Sequence, residues 1–301
     1  MTLPQIYALP VLGRYGLTHG LLSWARARLW CREHGATMLA PFWLKVRIGP
    51  YLRGERDKRN YFLLFRSGTA VSGLRRLVTL IRAGKADVGP EWPDLPSLSS
   101  KPIVLHFHNA LKDNEKKSFA QVLGHGPFLR EELLAMTRSA YHPAPPDKPF
   151  IAIHIRLGDF TKPKAEVGGS QVSTNMRLPI GWYGDRLDAL RDALGEDISA
   201  VIFSDGSDEE LGDLFARQGI TRAAKQQSVT DLLAMGQGAA LIASGSGFSL
   251  WGAFLGSVPR IAYPSQSIVP IALDATQDIE SDFGAPIPAS FVAHVRKRLD
   301  R

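Results

Sequence analysis

The sequence predicts an α/β protein of two domains, each built on a parallel sheet. Three observations predict it. Short apolar runs alternate with stretches of helical periodicity, the order that parallel strands joined by helical crossovers require. Glycine-punctuated turns follow several of these runs, where a strand passes into a helix. The segment His142-Pro143-Ala144-Pro145-Pro146-Asp147 divides the 301 residues near their middle, and its prolines exclude a helix interior or a central strand there.

In the first half, Gln5 to Val11 is a short apolar strand. It runs into the turn Gly13-Arg14-Tyr15-Gly16-Leu17-Thr18-His19-Gly20, and a helix follows from about Leu21 to His34, with Gly35 as its stop. Thr37 to Pro41 reads as the next strand. Residues 84–101 contain Pro90, Pro93 and Pro96 and read as an irregular loop. Ile103 to Phe107 returns to strand character, and Phe128 to Tyr141 is helical.

The second half is more regular. Phe150 to Ile155, Ala200 to Phe203, Ala239 to Ala243 and Arg260 to Tyr263 are apolar strands suited to burial on both faces. Helices are expected at Trp182 to Leu194, Asp208 to Gln218, Thr230 to Met235 and Phe248 to Leu255. Ser207 with Glu210 makes a capping box for the second, and Thr230 caps the third. The predicted boundaries are 1–142 and 148–301, and the last helix is free to pack back on the first domain.

Composition narrows the function. Hydrophobic residues make up 45% and charged residues 22%, so a packed core is expected. The single cysteine, Cys31, permits no internal disulfide and reads as a small core hydrophobe. No signal peptide and no membrane span are read, so the expected location is cytoplasmic, with peripheral contact at the inner face of a membrane. The net charge of +7 favours anionic partners. The cations fall in small groups, Arg26/Arg28/Arg32, Arg56/Lys58/Arg59 and Arg75/Arg76/Arg82, which read as solvated basic faces. No zinc-ligand spacing, aromatic RNA-binding strand or long basic helix is read, so nucleic acid is not an expected partner.

The chemistry is expected at the carboxyl ends of the second-half strands, where open parallel sheets bind ligands. Three polar clusters fall there: His154-Ile155-Arg156-Leu157-Gly158-Asp159, Ser204-Asp205-Gly206-Ser207-Asp208 and Ser244-Gly245-Ser246-Gly247. Arg156 offers a planar fork of donors matched to phosphate oxygens. Gly245 and Gly247 let backbone approach a ligand, and the following helix start can hold an anion. Asp205 is an acceptor able to read the N–H edge of guanine, and His154 can bond a base or ribose. Each cluster alone also reads as a turn or a cap; their coincidence at neighbouring strand ends favours a site.

These motifs resemble those of the bacterial α-1,2-fucosyltransferases and the superfamily they share with α-1,6- and protein O-fucosyltransferases. That family carries H-x-R-R-x-D after a strand, F-S-D-D after the next and N-S-[ST]-F-S-W-W-G-A after a third. Here these are HIRLGD at 154–159, Phe203-Ser204-Asp205-Gly206 and residues 245–253. Gly13 to Gly20, with a helix ending at His34-Gly35, stands at the place of the family's G-x-L-G-N-Q motif. Order and spacing agree over residues 10 to 265.

The resemblance implies a GT-B-like fold of two Rossmann-type domains facing a cleft. It implies an inverting, metal-independent transfer of fucose from GDP-fucose to a hydroxyl of a glycan or glycolipid. No Asp-x-Asp lies near the site, and neither metal nor cofactor is expected beyond the donor substrate. Arg156 would stabilise the departing diphosphate. Donor contacts would come from His154, Arg156, Asp159, Ser204, Asp205, Ser246, Phe248 and Ser249. His19, Asp159 and Glu166 are candidate bases, which the sequence does not rank. Departures at Leu157, Gly206, Gly245 and Leu250 keep two alternatives open: another GDP-sugar donor, or a non-catalytic nucleotide- or glycan-binding relative.

Overall fold

The computed structural model describes residues 5–13, 16–43, 61, 63–89, 91–92, 101–108, 115–158, 160–161, 176–267 and 269–300. The chain divides into two compact units, Met1–Ala140 and Tyr141–Arg301. Each is an α/β unit on a parallel sheet, as the alternation of apolar runs and helices predicts.

In the first unit the elements are β1 (Ile6–Val11), α1 (Leu17–His34), β2 (Thr37–Met38), α2 (Gly73–Arg82), β3 (Gly84–Val88), β4 (Ile103–His108), α3 (Glu115–Ala120) and α4 (Gly126–Met136). The strand order is β2-β1-β4-β3. Leu105 and Phe107 pack with Trp30 and Cys31 of α1 on one face. Val104 and Leu9 pack with Leu39 and Leu80 on the other. The Cys31 thiol is pushed up to about 12 by burial, which fits its reading as a core hydrophobe. Gly35 ends α1 in the left-handed conformation, φ 62°, and its N–H reaches back to the carbonyl of Cys31.

Two elements here differ from the sequence reading. Residues 84–88 are a strand, not part of the loop. Its polar residues Lys85 and Asp87 alternate with Ala86 and Val88, which face the α1 side. An edge position tolerates that composition. The first basic group is not a solvated face. Arg26 is fully buried, donates to Gln121 at 2.7 Å and to the carbonyls of His108 and Gly89, and is lowered to about 10 by burial. Arg28 makes a two-pronged bond to Glu132 of α4, both arms 2.7 Å, and Arg32 lies 4.2 Å over the Phe128 ring. Arg28 and Arg32 join α1 to α4, and Arg26 ties α1 to the exits of β3 and β4. Arg56, Lys58 and Arg59 lie outside the described residues.

The second unit contains β5 (Ile151–Ile155), α5 (Ile180–Leu194), β6 (Ala200–Ser204), α6 (Gly212–Phe215), β7 (Ile220–Arg222), α7 (Ser228–Met235), β8 (Ala240–Ala243), α8 (Gly247–Gly256), β9 (Arg260–Ala262), β10 (Asp278–Glu280) and α9 (Ala289–Leu299). All six strands are parallel, in the order β10-β9-β8-β5-β6-β7. Ile153, Ile202, Ile242 and Ile261 pack with Trp182 and Leu187 of α5 and Phe291 and Val295 of α9. The apolar side of the C-terminal helix is thus used within the second unit, and Arg298 ties it to the carbonyls of Gly236, Gly238 and Gly256.

Local chemistry departs from expectation in two places. Ser207 and Glu210 do exchange both capping-box bonds, at 3.0 and 3.3 Å, but residues 208–211 form a turn and the helix is only Gly212–Phe215. Thr230 lies inside α7 rather than at its cap, buried, and its hydroxyl donates to the carbonyl of Tyr141 at 2.8 Å.

The sheet edge is locked by a buried ion pair between register partners. Arg260 of β9 meets both carboxylate oxygens of Asp278 of β10 at 2.8 and 2.9 Å, with side chains 4% and 7% exposed. Removing one partner strands a buried charge. Asp278→Ala should therefore cost about 3–5 kcal/mol, read as a fall in the urea unfolding midpoint; a loss below about 1 kcal/mol would show that the pair does not hold this edge.

Candidate functional site

Strand β5 lies between β6 and β8, so the strand order reverses beside it. The crevice at the carboxyl ends of β5 and β8 is the switch point at which open α/β sheets take ligands. The three polar clusters fall on these ends and that of β6.

The loop after β5 is held by one carboxylate. Asp205, just past β6, accepts the backbone N–H of Leu157 at 2.8 Å, the N–H of Gly158 at 3.1 Å and the guanidinium of Arg156 at 2.9 Å. The Arg156 and Asp205 side chains are 30% and 18% exposed, so the pair is partly screened and its cation still reaches solvent. Gly158 leaves room for this closure, because a Cβ there would lie 2.5 Å from Asp205 Oδ2 and the carboxylate would have to shift. Asp205, read from the sequence as a guanine acceptor, thus also holds the loop after β5. Its oxygens are turned onto the loop, and it positions Arg156.

Leu157 and Gly206, two of the departures from the family pattern, fit each other. Leu157 is buried in the core, and a Cβ on Gly206 would come within 2.4 Å of its Cδ1. The leucine occupies the space that the missing side chain leaves. Ser204 accepts the N–H of Gly206 at 3.0 Å through its hydroxyl, and Arg222 binds the carbonyls of both residues. Arg222 is a support that sequence reasoning missed; its strand, Ile220–Arg222, follows no apolar run.

Across the switch point, His154 is buried and its Nδ1 lies 2.9 Å from the Ser244 hydroxyl. Its ring packs on Phe248 at 5.6 Å between centroids. Burial first, and the Arg156 charge second, push the imidazole down to about 3, so it is neutral at ordinary pH. Ser246 caps α8, its hydroxyl accepting the N–H of Phe248 at 3.2 Å. Gly245 is buried against Gln266, whose Oε1 would stand 1.9 Å from a Cβ at that position. Ser249 is fully buried, and its hydroxyl donates to the carbonyl of Ser244 at 2.8 Å, with that of Ser246 at 3.0 Å. It braces the loop from behind.

The remaining candidates lie elsewhere. His19 is on the first turn of α1 in the first unit, half-buried, at the carboxyl end of β1. Asp159 and Glu166 lie outside the described residues. Sequence reasoning also missed Asp87, His106 and His108 of the first unit, whose donor atoms lie within 4.8 Å of one another. The signal was present as His106-Phe107-His108, two histidines on one face of a strand.

No family model matches the sequence, and no curated protein matches it. Among solved structures, the chain is similar to NodZ alpha-1,6-fucosyltransferase soaked with GDP-fucose, at 13% identity and a TM-score of 0.45, over 87% of this chain and 96% of that one. It is similar to the fucosyltransferase NodZ from Bradyrhizobium at 13% identity and a TM-score of 0.45, over 86% and 96%. It is also similar to POFUT1 in complex with GDP at 12% identity and a TM-score of 0.44, over 86% and 97%.

Two outcomes test the geometry. Gly206→Ala should destabilise the chain by about 1–3 kcal/mol by overpacking against Leu157. Combined with Leu157→Ala it should cost clearly less than the sum of the two single changes. Strict additivity in urea unfolding would show that the two residues are not coupled. The second concerns pH. The folded value of His154 lies below its ordinary 6.5, so the unfolded chain takes the proton first. This contribution to stability is complete above about pH 6.5 and is lost as pH falls toward about 3. Unfolding midpoints measured between those limits should slope less steeply in His154→Gln than in the unaltered chain; equal slopes would contradict the assignment.

Proposed function

We propose that the second unit binds the diphosphate of a GDP-sugar, and that the chain is a glycosyltransferase moving fucose from GDP-fucose to a hydroxyl of a glycan or glycolipid. The observation that carries this reading is Arg156, fastened by Asp205 at the carboxyl end of β5 beside the switch point. A half-exposed guanidinium at that place, near the amino end of α8, suits a diphosphate that gains negative charge. The guanosine and fucose assignments rest on the motif resemblance.

In this mechanism the acceptor oxygen attacks the anomeric carbon from the face opposite the diphosphate. The bond from that carbon to the phosphate oxygen breaks, and its electron pair leaves with GDP. Arg156 and the N–H groups opening α8 stabilise that charge. The hydroxyl proton passes to a base. His154 and Asp205 are positioning residues: the neutral imidazole holds Ser244 and Phe248, and the carboxylate holds Arg156. Leu157 and Gly206 pack together, so these two departures give no reason to prefer a different donor.

No described helix is long and apolar enough to cross a membrane. A peripheral contact with an anionic membrane is supported by α2, which exposes Leu74, Leu77 and Ile81 on one side with Arg75 and Arg82 beside them. Leu77→Glu should reduce cosedimentation with phosphatidylglycerol vesicles and leave GDP binding unchanged; full retention would remove this surface from the proposal.

The transfer reading is tested by incubating the chain with GDP-fucose and a panel of glycan and glycolipid acceptors. GDP release should be acceptor-dependent and should fall by about 10²–10³ in Arg156→Ala, the loss expected for one electrostatic stabiliser. Faster turnover of GDP-mannose would overturn the donor assignment. Tight GDP binding without any turnover would favour a non-catalytic relative.

A further inference from the structure

We propose that Asp87, His106 and His108 form a binding site for a divalent transition-metal ion of the zinc class in the first unit. These residues belong to the first unit and the Arg156 cluster to the second, and nothing in the transfer reading uses them. It follows from strand geometry. Asp87 of β3 is the register partner of His106 on β4. His106 and His108 are two residues apart, so their rings project from the same face. Leu105 and Phe107, between and before them, face α1. All three candidate ligands therefore stand on the opposite face, near the carboxyl ends of neighbouring strands.

The donor atoms are already gathered. Asp87 Oδ1 lies 2.8 Å from His108 Nε2 and 3.6 Å from His106 Nδ1. One donor atom from each residue falls within 4.8 Å of the other two. Ligands about 2.0–2.1 Å from a tetrahedral zinc ion lie roughly 3.3 Å apart. The longer spacing fits with a small adjustment, and the shorter must open by about half an ångström. Asp87 can supply that movement, because its side chain is 78% exposed on an edge strand.

A plain Asp–His pair explains the arrangement less well. One carboxylate oxygen faces two imidazoles at once. Nε2 of His106 is buried without a hydrogen-bond partner, so that ring is not tied into a structural network through its second nitrogen. The backbone beneath is rigidly held: the buried Arg26 guanidinium binds the carbonyls of both His108 and Gly89, at the exits of β4 and β3. Two imidazoles and a carboxylate favour zinc, cobalt or nickel over magnesium or calcium. Three protein ligands leave one coordination position for water or another oxygen ligand.

The test is a calorimetric titration of the full chain with zinc chloride after chelator treatment, with cobalt(II) absorption as a second readout. One zinc ion per chain should bind saturably, cobalt should show the intense visible bands of a tetrahedral site, and magnesium should give no heat. Asp87→Asn and His108→Ala should each weaken zinc binding by more than the 10- to 100-fold typical of losing an outer partner, with circular dichroism unchanged. His294→Ala, which breaks the separate His294–Asp274 pair, should bind as the unaltered chain does. Absence of saturable zinc binding, or undiminished binding in the His106→Ala/His108→Ala double variant, overturns the proposal.

Discussion

The carboxylate of Asp205 is the constraint on which the second unit's site depends. It gathers two backbone N–H groups and one guanidinium from the loop after β5. Without it, the buried Leu157 N–H and the half-buried Arg156 would have to find other partners, at a cost comparable to lost hydrogen bonds. Two neighbours make the closure sterically feasible. Gly158 lacks the Cβ that would strike the carboxylate, and Gly206 lacks the one that would strike Leu157. Cation, clamp and clearance arise from two segments far apart in the chain, and parallel pairing of β5 with β6 brings them together.

A second support stands on the β8 side. Ser244 receives His154 through its hydroxyl and Ser249 through its carbonyl, so the turn into α8 is braced from two directions. The imidazole is useful there because burial keeps it neutral: it can share a proton with Ser244 without placing a second cation beside Arg156. Arg156 and the start of α8 are half-buried, and His154, Ser249 and Asp205 bond to the segments that carry them.

The second unit was largely legible in the sequence because its four central strands read as continuous apolar runs, as in Ile151–Ile155 and Ala240–Ala243, whereas the edge strands β7 and β10 do not. The first unit was less so. Strand Gly84–Val88 carries a glycine, a lysine and an aspartate, and only pairing with β4 makes it a strand. Helix Gly73–Arg82 buries none of its residues fully, so its cations drew more notice than its leucines. Among site residues, strand-end position was readable but orientation was not. The sequence places Asp205 just past β6 and Ser249 in α8, but one sequence cannot show which polar atoms the backbone has already claimed. The coupling of Leu157 to Gly206 needed three dimensions for the same reason: 49 positions separate the two, and each alone looks like an isolated departure.

A thermal-shift panel of nucleoside diphosphates on the unaltered chain tests the central claim most directly, because a ligand that binds only the folded state raises its melting temperature. A rise with GDP, larger than with UDP or ADP and growing with concentration, is the predicted result. No rise with any nucleoside diphosphate at millimolar concentration would contradict the account, since the cluster around Arg156 would then hold no diphosphate.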